Sequence, residues 1–404
     1  MVDATERVFR ESAAPERSHA SGAVTFSVEP VSPSTLETYS RLANSTVVAP
    51  PQRPEWLDTW ARNVNPDCLL LSAWQDAEPV FAMPLEVVRE GLFRVARIPG
   101  GSHANGSFFP AMPAFHHLPD TGTQFATAFR ALRTARPDID MVALERLAPH
   151  LDGLDNPLRA LPHADSPNLA LAADLTGGFE PLVDRMSGKR KRKKLRAQLR
   201  KFEAAGGYRL VRADTPDEAG RLLSALFAMK HERFRKMGVA DVFAPPRIAA
   251  FFRDLFAAAA KGGTPPYFLS GLEVGGKLRA VAACSRAGER IICDFAAFAE
   301  DELHAASPGE FLFFHDIERA SAEGLKLFDF SVGDETYKRA WCEIETRQFD
   351  VLFPLTAKGH AAAAMRRAKA RATGMVKNNA LAWRLVRMAR ARNAAKSPTP
   401  AETD

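Results

Sequence analysis

The sequence predicts an α/β protein made of two similar halves, each with a mixed, mainly antiparallel sheet, followed by a basic helical tail. Three observations carry this reading. Strand-like and helix-like runs alternate along most of the chain. In each half, three strand-like runs follow one another through tight polar turns, as antiparallel meanders do, and then lead to a helix and a further strand. Laying Leu269-Ser270 on Leu71-Ser72 superposes strand, turn and strand at a shift of 198 residues, in pattern more than in identity.

The elements follow in order. Residues 1–22 are polar and rich in Ala, Ser and Glu, the composition of a disordered start. "AVTFSV" is strand-like, "SPSTLETYSRLA" is a Ser-capped helix, and "PEWLDTWARN" is a helix with Pro near its start. "CLLLSAW", "PVFAMPLEVV" and "LFRVARI" form the first meander. The Gly-rich loop "PGGSHANGSFFP" then leads to a helix over 123–133 and the strand "IDMVALERL". In the second half "PYFLSGLEVGGKLRAVAACSRAGERIICDFAAF" supplies three strands through Gly-Gly-Lys and Ala-Gly-Glu turns. A helix running from Pro308 to a stop at Gly324 and the strand "KLFDFSV" follow. These boundaries give segments 1–22, 23–180, 181–355 and 356–404, with the helix "ALAWRLVRMARAR" in the last.

Charge is unevenly spread. The totals are 54 Lys and Arg against 48 Asp and Glu, a net charge of +6. Lys189–Lys201 carries nine cations and no acid, and Lys358–Lys396 carries eleven and none, so the remainder is about −14. An acidic body with two concentrated basic elements points to local contacts with anions. Cys68, Cys284, Cys293 and Cys342 form no CxxC pair and have no His at metal spacing, so neither a metal site nor a disulfide framework is expected. The N-terminal residues lack the apolar core of a signal peptide, and no apolar run reaches the length of a membrane span. The expectation is a cytoplasmic protein, with contact to an anionic membrane surface through the tail as a further reading.

Several stretches could carry chemistry. "SGKRKRKKLRAQLRKFEAAGG" has an apolar stripe at Leu195, Leu199 and Phe202, a start at Ser187 and a stop at Gly206-Gly207. Cations in the first turn oppose the helix dipole, so either an anionic group meets Arg190 and Lys194 or the turn is simply solvated. DNA is not expected, because no DNA-binding motif accompanies the run. Ser307-Pro308-Gly309, beyond the strand ending near Phe298, starts a helix whose free N–H groups suit a pyrophosphate. The nearby Glu300, Asp301, Glu302 and Glu310 would repel one. "SVGDETYKRAW" crowds Asp334, Tyr337 and Lys338 at a strand's carboxyl end, where a carboxylate can act as base and a lysine can hold an anion. Asp294 stands alone in the apolar strand "RIICDFAAF", either satisfied by a neighbour or poised as a base. His231 and Arg233 sit on a helix ending at Gly238, and His103 and Asn105 in the first Gly-rich loop could face a cleft between the halves.

Taken together, "PEWLDTWARN", "LLLSAWQDAEPVFAMPL", "KRKKLRAQLRKFEAAGG", "HERFRKMG" and "SPGEFLFFHDIERASAEGLKLFDFSVGDETYKRAW" resemble the CelD/BcsL-like and FemAB-like branch of the GNAT acyltransferase superfamily. The resemblance spans about residues 25–355 and is most specific over 305–341. It implies two tandem GNAT-like domains, with the donor site in the second, and acyl transfer from acyl-CoA such as acetyl-CoA. The acceptor it implies is an amine or hydroxyl of a glycan precursor or lipid-linked molecule, in cellulose or exopolysaccharide biosynthesis. FemAB relatives use aminoacyl-tRNA as donor. Ser307-Pro308-Gly309 stands where GNAT enzymes hold the CoA pyrophosphate, but "AASPGE" replaces the usual Gln/Arg-x-x-Gly-x-Gly/Ala loop and leaves both donors open. The expected catalytic residues are Asp334 or Asp294 as base and Lys338. Ser307, Gly309 and Phe298 would meet the donor, and His231, Arg190, Lys194, Tyr337 and His103 would meet the acceptor. A noncatalytic scaffold on a membrane surface is the expectation from another class.

Overall fold

The computed structural model describes residues 23–378 apart from 117, 119 and 262–265. The expected disordered start and the run 380–392 lie outside the described residues. The first half opens with β1 (Thr25–Pro30), α1 (Pro33–Ser45) and α2 (Pro54–Asn63). Ser32 and Thr35 close a capping box at α1, with Pro33 at its first position. The meander β2 (Cys68–Gln75), β3 (Glu78–Glu90) and β4 (Phe93–Arg97) leads through α3 (Pro113–His116) and α4 (Thr121–Ala135) to β5 (Met141–Leu147). A hairpin of β6 (His150–Leu151) and β7 (Leu154–Asp155) precedes β8 (His163–Asp174).

The second half begins with α5 (Phe179–Arg185), α6 (Gly188–Ala204), β9 (Tyr208–Arg212), α7 (Pro216–Met237) and α8 (Pro246–Ala259). Its meander is β10 (Tyr267–Val274), β11 (Lys277–Ala287) and β12 (Arg290–Phe298). Then come α9 (Pro308–Ala322), β13 (Leu327–Val332), the single turn α10 (Thr336–Arg339), β14 (Ile344–Pro354) and α11 (Ala357–Asn378). The meander strands of the two halves start within a residue of the 198-residue shift.

All strands but β6 and β7 join one sheet, ordered β1-β2-β3-β4-β5-β14-β8-β13-β12-β11-β10-β9. Read inward from either edge, the sheet has the same grammar. Three antiparallel pairings are followed by one parallel pairing, β4 with β5 and β12 with β13. At the centre the halves exchange strands: β8 pairs with β13, and β14 pairs with β5. Helices on the two faces bury two main cores. In one, Trp56 of α2 packs edge-on against Phe251 of α8 at 4.9 Å between ring centroids, so aromatic contacts also join the halves. Among the described residues no helix is long and apolar enough to cross a membrane.

The basic helix forms where the sequence places it. Phe202 is fully buried, with Leu195 and Leu199 packed on the same core. Ser187 precedes the helix but does not cap it, because its φ of 67° is left-handed and its side chain makes no cap hydrogen bond.

Candidate active site

Parallel strands β12 and β13 stay paired only from Arg290–Ile292 against Leu327–Asp329. Beyond that point β12 runs on to Phe298 beside β11, while β13 kinks at Ser331, whose φ is 58°. The two strands part, and the gap between them is a cleft of about 500 Å³. Helix α7 closes one side with Lys230, Arg233, Phe234 and Met237, spaced i, i+3, i+4, i+7. The start of α9 closes another with Ser307, Gly309 and Glu310.

Asp294 lies on this cleft because β12 bulges. Cys293 faces Cys284 and Phe295 faces Ala283, leaving Asp294 as the extra residue with no partner across the ladder. A half-buried carboxylate here sees the cleft but little bulk water. Lost hydration raises its pKa to about 7, and the nearby Asp329 adds to the rise. A group with that pKa is divided between acid and base near neutral pH, which suits proton transfer.

Lys338 and Tyr337 reach the same cleft from α10. Lys338 is 4% exposed; its ammonium donates to the Val332 carbonyl at 2.8 Å and pairs with Glu335 at 3.0 Å. Two of its three hydrogens are thus committed and one is left over. Tyr337 stacks on Phe313 with 5.6 Å between centroids, and burial pushes its phenol up. Lys230, which sequence reasoning missed, also lines the cleft, and burial lowers its pKa to about 8, with Arg233 contributing. The four-residue rhythm of "MKHERFRKM" was the signal that could have found it.

The tip of α9 opens on the cleft, although Ser307 is left-handed and makes no side-chain cap. Phe298 lies against it: a Cβ at Gly309 would meet the Phe298 ring at 3.2 Å. The acids expected to repel a phosphate are held by cations. Glu300 pairs with Lys236 at 2.8 Å, Asp301 and Glu302 with the buried Arg279, and Glu310 with Lys194 at 2.6 Å.

Other sequence expectations fall outside the cleft. Asp334 is exposed and hydrogen-bonded to Arg339, whose guanidinium holds its carboxyl below the usual carboxylate range. It is not among the residues that line the cleft. His231 is 66% exposed, outside the cleft lining, and faces Asp241 at 3.2 Å. His103 packs on Phe243 and Phe252 at the seam between the halves; burial lowers its pKa to about 4, which keeps it neutral. Arg190 is exposed at the start of α6. Much of the basic run is spent internally. Arg192 pairs with Glu180 and Asp184, and Lys191 sits 3.6 Å over the Trp341 ring and donates to the Ala340 carbonyl. Gln198 ties α6 to the α9 tip through the carbonyls of Ala306 and Ser307.

Residues 189–339 match the family described as "Acetyltransferase (GNAT) domain". Over that stretch the chain is similar to GNAT-type acetyltransferase domains. The GNAT match takes in the splayed strands and both helices that wall the cleft. Most of the chain also resembles solved structures at low identity. The crystal structure of FemX is 12% identical with a TM-score of 0.55, over 80% of this chain and 96% of that one. The L-PGS of Bacillus licheniformis is 11% identical with a TM-score of 0.49, over 86% and 98%. A tandem GNAT protein from the clavulanic acid biosynthesis pathway is 13% identical with a TM-score of 0.44, over 82% and 98%. The likeness to FemX is one of fold alone. No curated protein matches the chain in sequence.

Proposed function

We propose that the protein is an acyltransferase that binds an acyl-CoA in the β12–β13 cleft and passes its acyl group to an amine or hydroxyl. By the sequence resemblance the acceptor is a glycan precursor or a lipid-linked molecule of the exopolysaccharide class. The carrying observation is the joint one: parallel strands that part, with Asp294 on a bulge at the parting. The free side of β12 beyond Ile292 offers main-chain groups to an extended, amide-bearing arm such as pantetheine. The α9 tip, with its acidic neighbours neutralised, suits the pyrophosphate.

In this reading Asp294 takes the proton from the attacking nitrogen or oxygen as the new bond to the acyl carbon forms and the carbon–sulfur bond breaks. The uncommitted hydrogen of Lys338 points its charge toward the carbonyl oxygen as it becomes negative. Lys230, with a pKa near that of a thiol, gives a proton to the leaving sulfur. No covalent enzyme intermediate is needed.

Calorimetry with coenzyme A, together with turnover of acetyl-CoA, tests the proposal. Asp294→Asn should keep coenzyme A affinity and lower kcat by ~10²–10⁴. Absence of coenzyme A binding to the unmodified protein, or equal turnover in the variant, would sink it. The exposed stripe Lys189, Lys193, Arg196 and Arg200 on α6 favours a second reading, a tRNA-borne donor. Salt-sensitive tRNA binding that is lost on neutralising Lys189–Lys194 would select that donor instead.

A further inference from the structure

Helix α1 lies over the outer strands of the first half and leaves a pocket of about 160 Å³ between itself and β1, β2 and β3. The surfaces that face each other there are polar. Glu29 pairs with Leu70, Ser27 with Ser72 and Thr25 with Trp74, so Glu29, Ser27, Ser72 and Trp74 share one face of the sheet. Helix α1 brings Ser34 and Thr38, one turn apart, and Thr35 to the same space. A helix ordinarily meets a sheet through apolar side chains. The second half follows that rule at the equivalent place: α7 sits flush on β10, where a Cβ at Gly271 would meet Leu222 at 2.9 Å.

Some of these polar groups are left over. Thr35 is committed to the capping box and to the Pro30 carbonyl, and Ser34 shares a hydrogen bond with Ser32. Thr38 accepts at 3.4 Å from Arg41, which is outside the lining, and keeps its own hydrogen. Ser40 of the same helix instead returns its hydrogen to the Leu36 carbonyl at 2.7 Å. Neither the Ser72 hydroxyl nor the exposed Glu29 carboxylate has a partner among the described residues. The rest of the lining is ring and hydrocarbon, chiefly Trp74 with Leu42, Leu70 and Pro79. The indole N–H of Trp74 donates to Ser27 at 2.8 Å, which fixes the ring.

The space is that of one six-membered ring, since a cavity of about 150 Å³ holds benzene. A flat apolar ring would leave the carboxylate and the hydroxyls unanswered. A pyranose has hydroxyls around its edge to meet Glu29, Thr38 and Ser72, and C–H bonds on its faces to lie against Trp74. We propose that this pocket binds a single pyranose ring of a saccharide. Neighbouring strands stand about 4.8 Å apart, so β2 is about 30 Å along the sheet from the parting of β12 and β13. At that distance the pocket anchors a saccharide and takes no part in chemistry, and the assignment does not depend on the reading of the cleft.

Saturation-transfer NMR on the full chain, with methyl glucopyranoside and the open-chain glucitol as probes, tests it. The glucoside should receive most saturation at the C–H protons of one ring face, and the flexible glucitol should bind at least about tenfold more weakly. Trp74→Leu should weaken the glucoside about tenfold, and Glu29→Gln and Ser72→Ala each several-fold. Glu29 is exposed on an edge strand, so its variant decides the matter even where Trp74→Leu fails to fold. Coenzyme A affinity, measured by calorimetry on the same samples, should not move. No transfer to the glucoside at high millimolar concentration, equal binding of glucitol, or glucoside binding unchanged in both Glu29→Gln and Ser72→Ala would overturn the assignment.

Discussion

The two halves are built to one plan and differ at its most important point. Each has a parallel strand pair joined by a crossover helix, and each inner parallel strand carries a left-handed kink, Arg146 at φ 58° and Ser331 at φ 58°. In the second half the strands beyond the parallel pairing enclose a cleft. In the first half the chain itself fills the equivalent gap. Ser107 bridges in parallel to Leu147, its N–H donates to the Arg146 carbonyl, and it accepts from the Ala148 N–H. The Arg146 side chain then bonds the Gly101 and Ser102 carbonyls and Asn105. One scaffold thus serves as a site where main-chain groups are left for a ligand, and as a brace where the protein's own loop has taken them. The Gly-rich loop that sequence reasoning offered as a cleft lining is that brace.

The contrast can be broken experimentally. The largest effect is expected at Asp294, the group with no counterpart doing chemistry in the braced half. Turnover of the unmodified protein should rise with pH through about 7, and the Asp294→Asn variant should lose that rise. Stability has the opposite sign. A carboxyl whose folded pKa is raised favours folding most below its unfolded pKa, and that contribution is lost as pH climbs through about 7. The difference in Tm between Asp294→Asn and the parent should therefore grow in the variant's favour from pH 4 to pH 8, as followed by calorimetric melting. A flat difference would mean that the site is well solvated.

The second position of each crossover helix gives the next comparison. Gly122 of α4 has the Ala160 carbonyl 2.9 Å from where a Cβ would be, whereas Gly309 of α9 has the movable Phe298 ring at 3.2 Å. Gly122→Ala should lower stability by ~1–3 kcal/mol with coenzyme A affinity intact. Gly309→Ala should push Phe298 into the cleft and weaken coenzyme A several-fold with little loss of Tm. The reverse pattern would place the ligand in the wrong half.

Smaller effects should come from charges. Lys194→Ala leaves Glu310 unpaired at the cleft mouth and should weaken coenzyme A about two- to fivefold, an effect that fades in high salt. Arg366→Ala cuts the contacts of α11 to Glu90 and Glu145 and should cost about 0.5–1 kcal/mol in denaturant unfolding without altering turnover.

Much of the architecture was legible because local signals set it. Ser32 with Pro33, Pro54, Pro308 and Gly238 fix helix ends, and the tight turns fix the meanders. Strand β8 was not legible, since Asp165, Ser166 and Pro167 interrupt the apolar rhythm that "LALAAD" continues; pairing with β13 and β14 overrides that composition. In the candidate site, Asp294, Lys338, Tyr337 and Gly309 stood out as chemically odd residues in their local contexts. Asp334 stood out equally, and only the fold shows that Arg339 takes its charge. Lys230 was signalled only by the rhythm of "MKHERFRKM"; that its ammonium is buried beside the cleft is a property of the surroundings.

The exchange of β8 and β14 sets an order of events during synthesis. Asp174 faces Leu327 and Met141 faces Pro354, so neither half can complete its sheet until nearly all the strands have left the ribosome. Until then β5 and β8 each expose a bare edge, and the nascent chain has two adhesive strips to shield. Cutting the gene between the halves would yield two aggregating fragments, not two small proteins.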